Sequence, residues 1–92
     1  MECFDKIEKQ MDLFVSKYGH LPTEISVGLL ACSKLWSASG DLLDITTDAH
    51  DHKNIDLIVK NKINKNLKCT ITEATDKIEF RDDNSNVVSF SL

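Results

Sequence analysis

Residues 67–92 read LKCTITEATDKIEFRDDNSNVVSFSL and contain the clearest structural pattern of the chain. Apolar and polar side chains alternate in three runs, Leu67–Thr72, Lys77–Arg81 and Val87–Leu92. Such alternation is typical of β-strands that have one buried and one solvated face. The polar stretch DDNSN (residues 82–86) between the last two runs predicts a β-hairpin. This part of the chain is therefore predicted to form a sheet with one dry face.

The first part of the chain has helical spacing instead. A helix is predicted over Glu2–Tyr18, and Gly19 and Pro22 are placed to end it. Its apolar stripe repeats every three or four residues: Phe4, Ile7, Met11, Phe14 and Tyr18. Leu29–Ser39 is predicted to be a second helix that stops at Gly40.

The middle of the chain carries weaker patterns. We expect short strands at Thr23–Gly28 and Leu42–Thr47, and a polar turn at Asp48–Lys53. Ile55–Val59 is apolar on both faces and is predicted to be a central strand. A second polar turn is expected at Asn61–Asn66.

These elements predict one α+β domain over residues 1–92. It has two layers, with a four- to five-stranded antiparallel or mixed sheet covered by two helices, in the order α-β-α-β-β-β-β. The predicted core comprises Phe4, Ile7, Met11, Phe14, Ile25, Val27, Leu30, Leu35, Trp36, Leu57, Val59, Cys69, Ile71, Ile78, Phe80, Val88 and Phe90.

Composition is that of an ordinary globular protein, with 28% charged residues and a net charge of −4. The three cysteines are widely spaced and predict reduced thiols rather than a disulfide framework. The first residues lack the features of a signal sequence, and no apolar run is long enough to span a bilayer. A cytoplasmic protein without a membrane partner is expected.

The charge imbalance is concentrated in Asp41–Asp56, which contains five aspartates and one lysine. This stretch is either a solvated surface or a docking surface for a basic partner, with Asp44, Asp48 and Asp51 as its contact residues. The lysines between Lys60 and Lys68 have no aromatic residue among them, so nucleic-acid binding is not favoured.

One cluster has metal-ligating residue types. His50 and His52 would project from one face of a strand, and Asp48 or His20 could complete a zinc or copper site. A histidine pair in a polar turn is usually only solvated, however, so no metal and no cofactor is the favoured interpretation.

Catalytic residues are not predicted. Cys69 falls on the dry face of the sheet, and Cys32 has only Lys34 as a basic neighbour. Asp82 and Asp83 are expected at a hairpin tip that is open to water, where no pKa shift should arise. The chain is therefore predicted not to be an enzyme.

The second predicted helix is apolar over most of its circumference. Such a helix is buried on two sides or lies at an interface. Trp36 is accordingly either a core residue or an interface anchor.

A resemblance to tailed-phage proteins covers residues 21–43. It begins with LPTEISVG (residues 21–28), continues through the helix that carries Trp36, and ends with GDLL (residues 40–43). The A-domain of major capsid proteins is similar in its order of strand, aromatic-bearing helix and glycine turn, as are small phage and prophage proteins of unknown function. KNLKCTI (residues 65–71) stands in place of their glycine-isoleucine-proline-valine strand, without its glycine and proline. The resemblance implies a phage-like α+β module that works through contacts rather than catalysis.

The sequence thus favours a small non-enzymatic interaction or structural module of phage or mobile-element type, whose partner is another protein or a second copy of itself. The alternative is an acidic inhibitor that docks through Asp41–Asp56 on a basic, nucleic-acid-binding host protein.

Overall fold

Helices cover one face of a four-stranded mixed sheet in the computed structural model, which describes residues 2–38, 52–73 and 75–92. The elements are, in chain order, α1 (Glu2–Tyr18), β1 (Glu24–Val27), α2 (Leu29–Ala38), α3 (His52–Ile58), a π-helical turn (Val59–Ile63), β2 (Lys68–Ile71), β3 (Lys77–Arg81) and β4 (Val87–Ser91). The predicted two-layer α+β class is confirmed.

The strands lie in the order β2-β1-β3-β4. β1 is parallel to β2 and antiparallel to β3, with Ile25 opposite both Cys69 and Phe80. β3 and β4 form the predicted antiparallel hairpin, in which Phe80 lies opposite Val88. β2 and β4 are consequently the two edge strands of the sheet.

The period-two pattern separates a dry face from a wet face, as predicted. The dry face carries the buried side chains Ile25, Val27, Cys69, Ile78 and Phe80, with Val88 and Phe90 packed against them. The opposite face presents polar side chains, including Ser26, Thr70 and Glu79. Helices are needed only on the dry side.

Helix α1 packs its apolar stripe onto this dry face. Ile7, Met11 and Phe14 are buried in the core. The helix ends at Gly19, which has a φ of 81° and donates its N–H to the carbonyl oxygen of Val15 at 2.8 Å. A left-handed glycine at this position is a common helix terminator, so the predicted boundary is confirmed.

The predicted central strand Ile55–Val59 is wrong, because these residues are helical. Ile55, Ile58 and Val59 are buried and share one helical face, whereas Leu57, predicted in the core, is 41% exposed. A short apolar run fits a buried strand or a buried helix equally well by periodicity, and its β-branched residues favoured the strand. The predicted strand Leu42–Thr47 and the residues 48–51 of the predicted turn lie outside the described residues.

Helix α2 also differs from prediction in the face that it buries. Leu30, predicted in the core, is 54% exposed, and Trp36 is only partly buried. The buried face consists instead of Ala31, Cys32 and Leu35. Because most of this helix is apolar, its sequence does not indicate which side faces the sheet.

The connection between β2 and β3 caps the N-terminus of α2. The backbone N–H of Leu29 donates to the carbonyl oxygen of Glu73 at 2.9 Å, and those of Leu30 and Ala31 donate to that of Thr75 at 3.0 and 3.2 Å. A Cβ atom on Gly28 would lie 2.2 Å from the same Thr75 oxygen. Glycine at this position therefore permits the connection to satisfy the unpaired N–H groups of the helix.

Candidate functional site

Most residues of the acidic stretch and its histidine cluster, namely Asp44, Asp48, His50 and Asp51, lie outside the described residues. His52 lies at the start of α3, with its Nε2 2.8 Å from the carbonyl oxygen of Cys69. A carbonyl oxygen only accepts, so Nε2 carries a hydrogen and donates it. That nitrogen is then not available as a metal ligand.

His20 contacts Asp82 rather than any member of the histidine cluster. Over residues 2–38, 52–73 and 75–92, no group of three His, Cys, Asp or Glu side chains is arranged to hold a metal ion. His50 lies outside the described residues, so the metal alternative for His50 and His52 is not tested, and the absence of a bound metal stays a prediction.

All three cysteines are free thiols. Burial raises the pKa of Cys32 to about 11 and that of Cys69 to about 12. Burial also raises the pKa of Cys3, although Lys34 and Lys6 nearby act in the opposite direction. Since the thiolate is the reactive form, these thiols are protonated and weakly nucleophilic at neutral pH.

The expectation that Asp82 is open to water without a pKa shift is wrong. Asp82 is only 8% exposed. Its carboxylate accepts hydrogen bonds from the backbone N–H of Asn84 at 2.9 Å and of Asn86 at 3.0 Å, and from the Asn86 amide at 2.9 Å. His20 Nε2 lies 2.6 Å from its Oδ2.

Burial alone acts to raise the pKa of Asp82. The hydrogen bonds from Asn86, His20 and Asn84 together outweigh burial and lower the pKa to about 2. Asp82 is thus an ionised, nearly buried group whose hydrogen bonds stabilise the β3–β4 turn. Its hydrogen bonds connect the turn to His20, in the segment before β1.

A cleft of about 780 Å³ lies between α1, α2 and the end of β4. Lys34, one of its two lysines, donates from Nζ to the carbonyl oxygen of Leu92 at 2.6 Å and lies 3.8 Å from Asp76. Its ammonium group is therefore already bound to the protein. The contact matters here because it ties α2 to the end of β4.

The outer edge of β4, meaning the edge that faces away from β3, is the most distinctive surface of the described structure. The N–H of Leu92 donates to the carbonyl oxygen of Asp76, and that of Asp82 donates to Asn86. Along an antiparallel ladder, hydrogen-bonded and non-hydrogen-bonded residue pairs alternate. Because Asn86 and Leu92 are bonded to the β3 side, Val88 and Phe90 between them are also bonded to β3. The backbone groups of Val87, Ser89 and Ser91 consequently point outwards.

The outer edge of β4 lacks the devices that usually protect a sheet edge. Residues 84–92 contain no charged side chain and no proline, although 28% of the chain is charged. At the other edge, Lys68 lies on β2 and His52 covers the carbonyl oxygen of Cys69. Natural edge strands are normally blocked by charge, proline or a covering element. Among residues 2–38, 52–73 and 75–92, the described hydrogen bonds cover the outer edge of β4 only at the carbonyl oxygen of Val87, which accepts from Tyr18.

Helix α1 borders the outer edge of β4. The hydroxyl of Tyr18 donates to the carbonyl oxygen of Val87 at 3.4 Å, while Lys6 lines the cleft at Leu92. Leu13, on the same helix, is 50% exposed.

Trp36, predicted as either a core residue or an interface anchor, lies on α2 and is half-buried. The strand and hairpin were predictable from the alternation, but the position of β4 at an edge was missed. The signal available in the sequence was the charge-free run at 84–92.

No protein-family model, curated protein or solved structure matches the chain. The resemblance of residues 21–43 to phage proteins accordingly stays a prediction. No helix of the described residues combines the length and the apolar character needed to cross a membrane.

Proposed function

We propose that this chain is a small non-enzymatic interaction module that binds by adding an extended segment to the outer edge of β4. The observation that carries this proposal is the set of outward backbone N–H and C=O groups at Ser89 and Ser91. No strand of the described chain pairs with them. Backbone hydrogen bonding to such an edge provides affinity, and the flanking side chains provide selectivity.

Apolar side chains lie on both faces of the sheet at this edge. Phe90 is only partly buried on the dry face, and Val87 is exposed on the polar face. An added strand whose side chains alternate would place residues beside both of them. The site thus favours an extended segment with alternating apolar side chains over a helix or a polar ligand.

The cytoplasmic location and the phage or mobile-element origin belong to the same proposal, and rest on the sequence. The acidic-inhibitor alternative depends on aspartates outside the described residues. Asp56, the described aspartate of that segment, is paired with Lys60 at 2.6 Å. The open edge of β4 is therefore the surface that we propose for binding.

The proposal is tested by capturing binding partners on the immobilised full chain, in parallel with Ser89→Pro and Ser89→Ala. Proline removes the outward N–H of Ser89 and leaves the β3 ladder intact, because that N–H does not face β3. Alanine removes only the hydroxyl and is the matched control. We expect partners, including the chain itself, to be retained by the wild type and by Ser89→Ala, and to be lost by Ser89→Pro.

Equal retention by all three folded proteins would contradict the proposal. Thermal melting of each variant establishes that the comparison is made between folded chains.

A further inference from the structure

We infer that the segment that occupies the outer edge of β4 is the β4 strand of a second copy of this chain, in antiparallel pairing. This inference rests on the proposed function and names its partner. The result is a two-fold symmetric dimer with one continuous eight-stranded sheet, in which the two β4 strands are central.

The outward residues of β4 define the register of this pairing. With Ser89 on the two-fold axis, Ser89 faces Ser89 of the second copy, and Val87 faces its Ser91. Each of these pairs is of the hydrogen-bonded type, because both residues point their backbone groups outwards. This register engages every outward residue and forms about six hydrogen bonds between the copies. The two that end on the Val87 carbonyl oxygens share their acceptor with the Tyr18 hydroxyl. Registers shifted by two residues form fewer.

The same register pairs complementary side chains on the dry face. Val88 lies opposite Phe90 of the second copy. By symmetry, Phe90 lies opposite Val88 of the second copy. An aromatic residue opposite a β-branched residue is a favourable cross-strand pair. Phe90 already packs against Phe80, with ring centroids 5.8 Å apart, so its ring is held in place before the copies meet.

Charge favours a second copy over an unrelated strand. The residue that lies on a two-fold axis faces its own copy, so a charged side chain at that position would face a like charge. The run from residue 84 to 92 avoids this repulsion because it contains no charged side chain. A strand that binds a foreign partner has no such requirement, and electrostatic complementarity usually guides such binding.

The helical layer is consistent with this geometry. Both copies place their helices on the same side of the joined sheet, because Val88 and Phe90 share the dry face in each copy. Val88 and Phe90 are only partly buried in the single chain, so pairing would remove more of their apolar surface from water.

Assembly is expected to stop at two copies. The other edge of the sheet, β2, is covered by His52 at the carbonyl oxygen of Cys69 and carries Lys68. Within the described part of the chain, one open sheet edge remains, and pairing it with itself closes the assembly.

Sedimentation equilibrium of the full chain is the first test, with a mass of two chains expected at micromolar concentration. Ser89→Lys and Ser89→Glu should each raise the dimer dissociation constant about tenfold or more, because like charges then face each other at the axis. An equimolar mixture of these two variants should restore the dimer, since the lysine introduced in one copy would face the glutamate introduced in the other. Ser89→Ala should dimerise like the wild type.

A cross-linking experiment tests the register independently. In a Cys3→Ser background, Ser89→Cys should form a covalent dimer on mild oxidation, because hydrogen-bonded antiparallel partners have Cα atoms about 5.5 Å apart. Ser16→Cys, on the exposed face of α1, is the matched control and should remain monomeric.

The outcomes separate this inference from the proposed function. A monomeric wild type that still loses captured proteins on Ser89→Pro would overturn self-pairing and leave the edge-binding function standing. A dimer that is insensitive to Ser89→Lys and Ser89→Glu would overturn self-pairing through β4. A monomer whose captured proteins are unaffected by Ser89→Pro would overturn both.

Discussion

Asp82 shows how one side chain controls the presentation of the proposed binding strand. It is ionised, nearly buried and bonded to both sides of the hairpin turn through Asn84 and Asn86. His20 attaches this turn to the segment before β1. The alternation pattern predicts the hairpin, but it does not predict that the first aspartate of DDNSN turns inwards while the second stays exposed. That difference depends on His20, which is distant in sequence.

The acid dependence of folding follows from the lowered pKa of Asp82. Its pKa is about 2 in the folded chain, against an ordinary value of 3.8. Its stabilising contribution is therefore complete above the unfolded pKa and is lost as the pH falls from about 4 to about 2. We expect Asp82→Ala to lower the melting temperature by several degrees at pH 7 and to flatten the dependence on pH in this range. Thermal melts followed by circular dichroism measure both effects, and Asp83→Ala, at the exposed neighbouring position, is the matched control for the melting temperature at pH 7.

At the scale of elements, α3 marks the limit of sequence-based prediction in this chain. The strands with strict alternation, β2, β3 and β4, are confirmed, because only a strand explains period two. Ile55–Val59 has apolar residues in succession, so its sequence does not distinguish a helix from a strand. Its helical form is determined by packing against the sheet, where Ile55, Ile58 and Val59 enter the core together.

Two neighbouring substitutions distinguish the helix from the predicted strand. In the helix, Ile58 is fully buried and Leu57 points outwards; in a strand, Leu57 would share the dry face with Ile55 and Val59. Ile58→Ala should reduce the free energy of unfolding by about 2–4 kcal/mol. Leu57→Ala should change it by less than about 0.5 kcal/mol. Urea denaturation measures both, and a larger loss for Leu57→Ala would show that these residues form a strand.

At the scale of the whole molecule, the proposed site depends on strand order, which is a long-range property. β4 is an edge strand because β1 occupies the centre of the sheet, between β2 and β3. That arrangement requires the chain to cross over from β1 through α2 and α3 to a parallel β2. No sequence feature of residues 84–92 indicates this crossover connection between β1 and β2. The sequence could therefore reveal an unusual charge-free strand, but not that its outer side is open.

The small size of the chain favours association. A chain of 92 residues buries only about 60–65% of its unfolded surface, so its stability alone is marginal. If the native chain pairs through β4 and the unfolded chain does not, association stabilises folding by mass action. The melting temperature should then rise by about 3–5 °C for each tenfold increase in concentration above the dimer dissociation constant. Ser89→Lys should move the onset of this dependence to a concentration at least about tenfold higher, whereas Ser89→Ala should leave it unchanged. Scanning calorimetry at several concentrations measures the effect, and a melting temperature of the wild type that does not change with concentration would mean that the native chain gains nothing from a second copy.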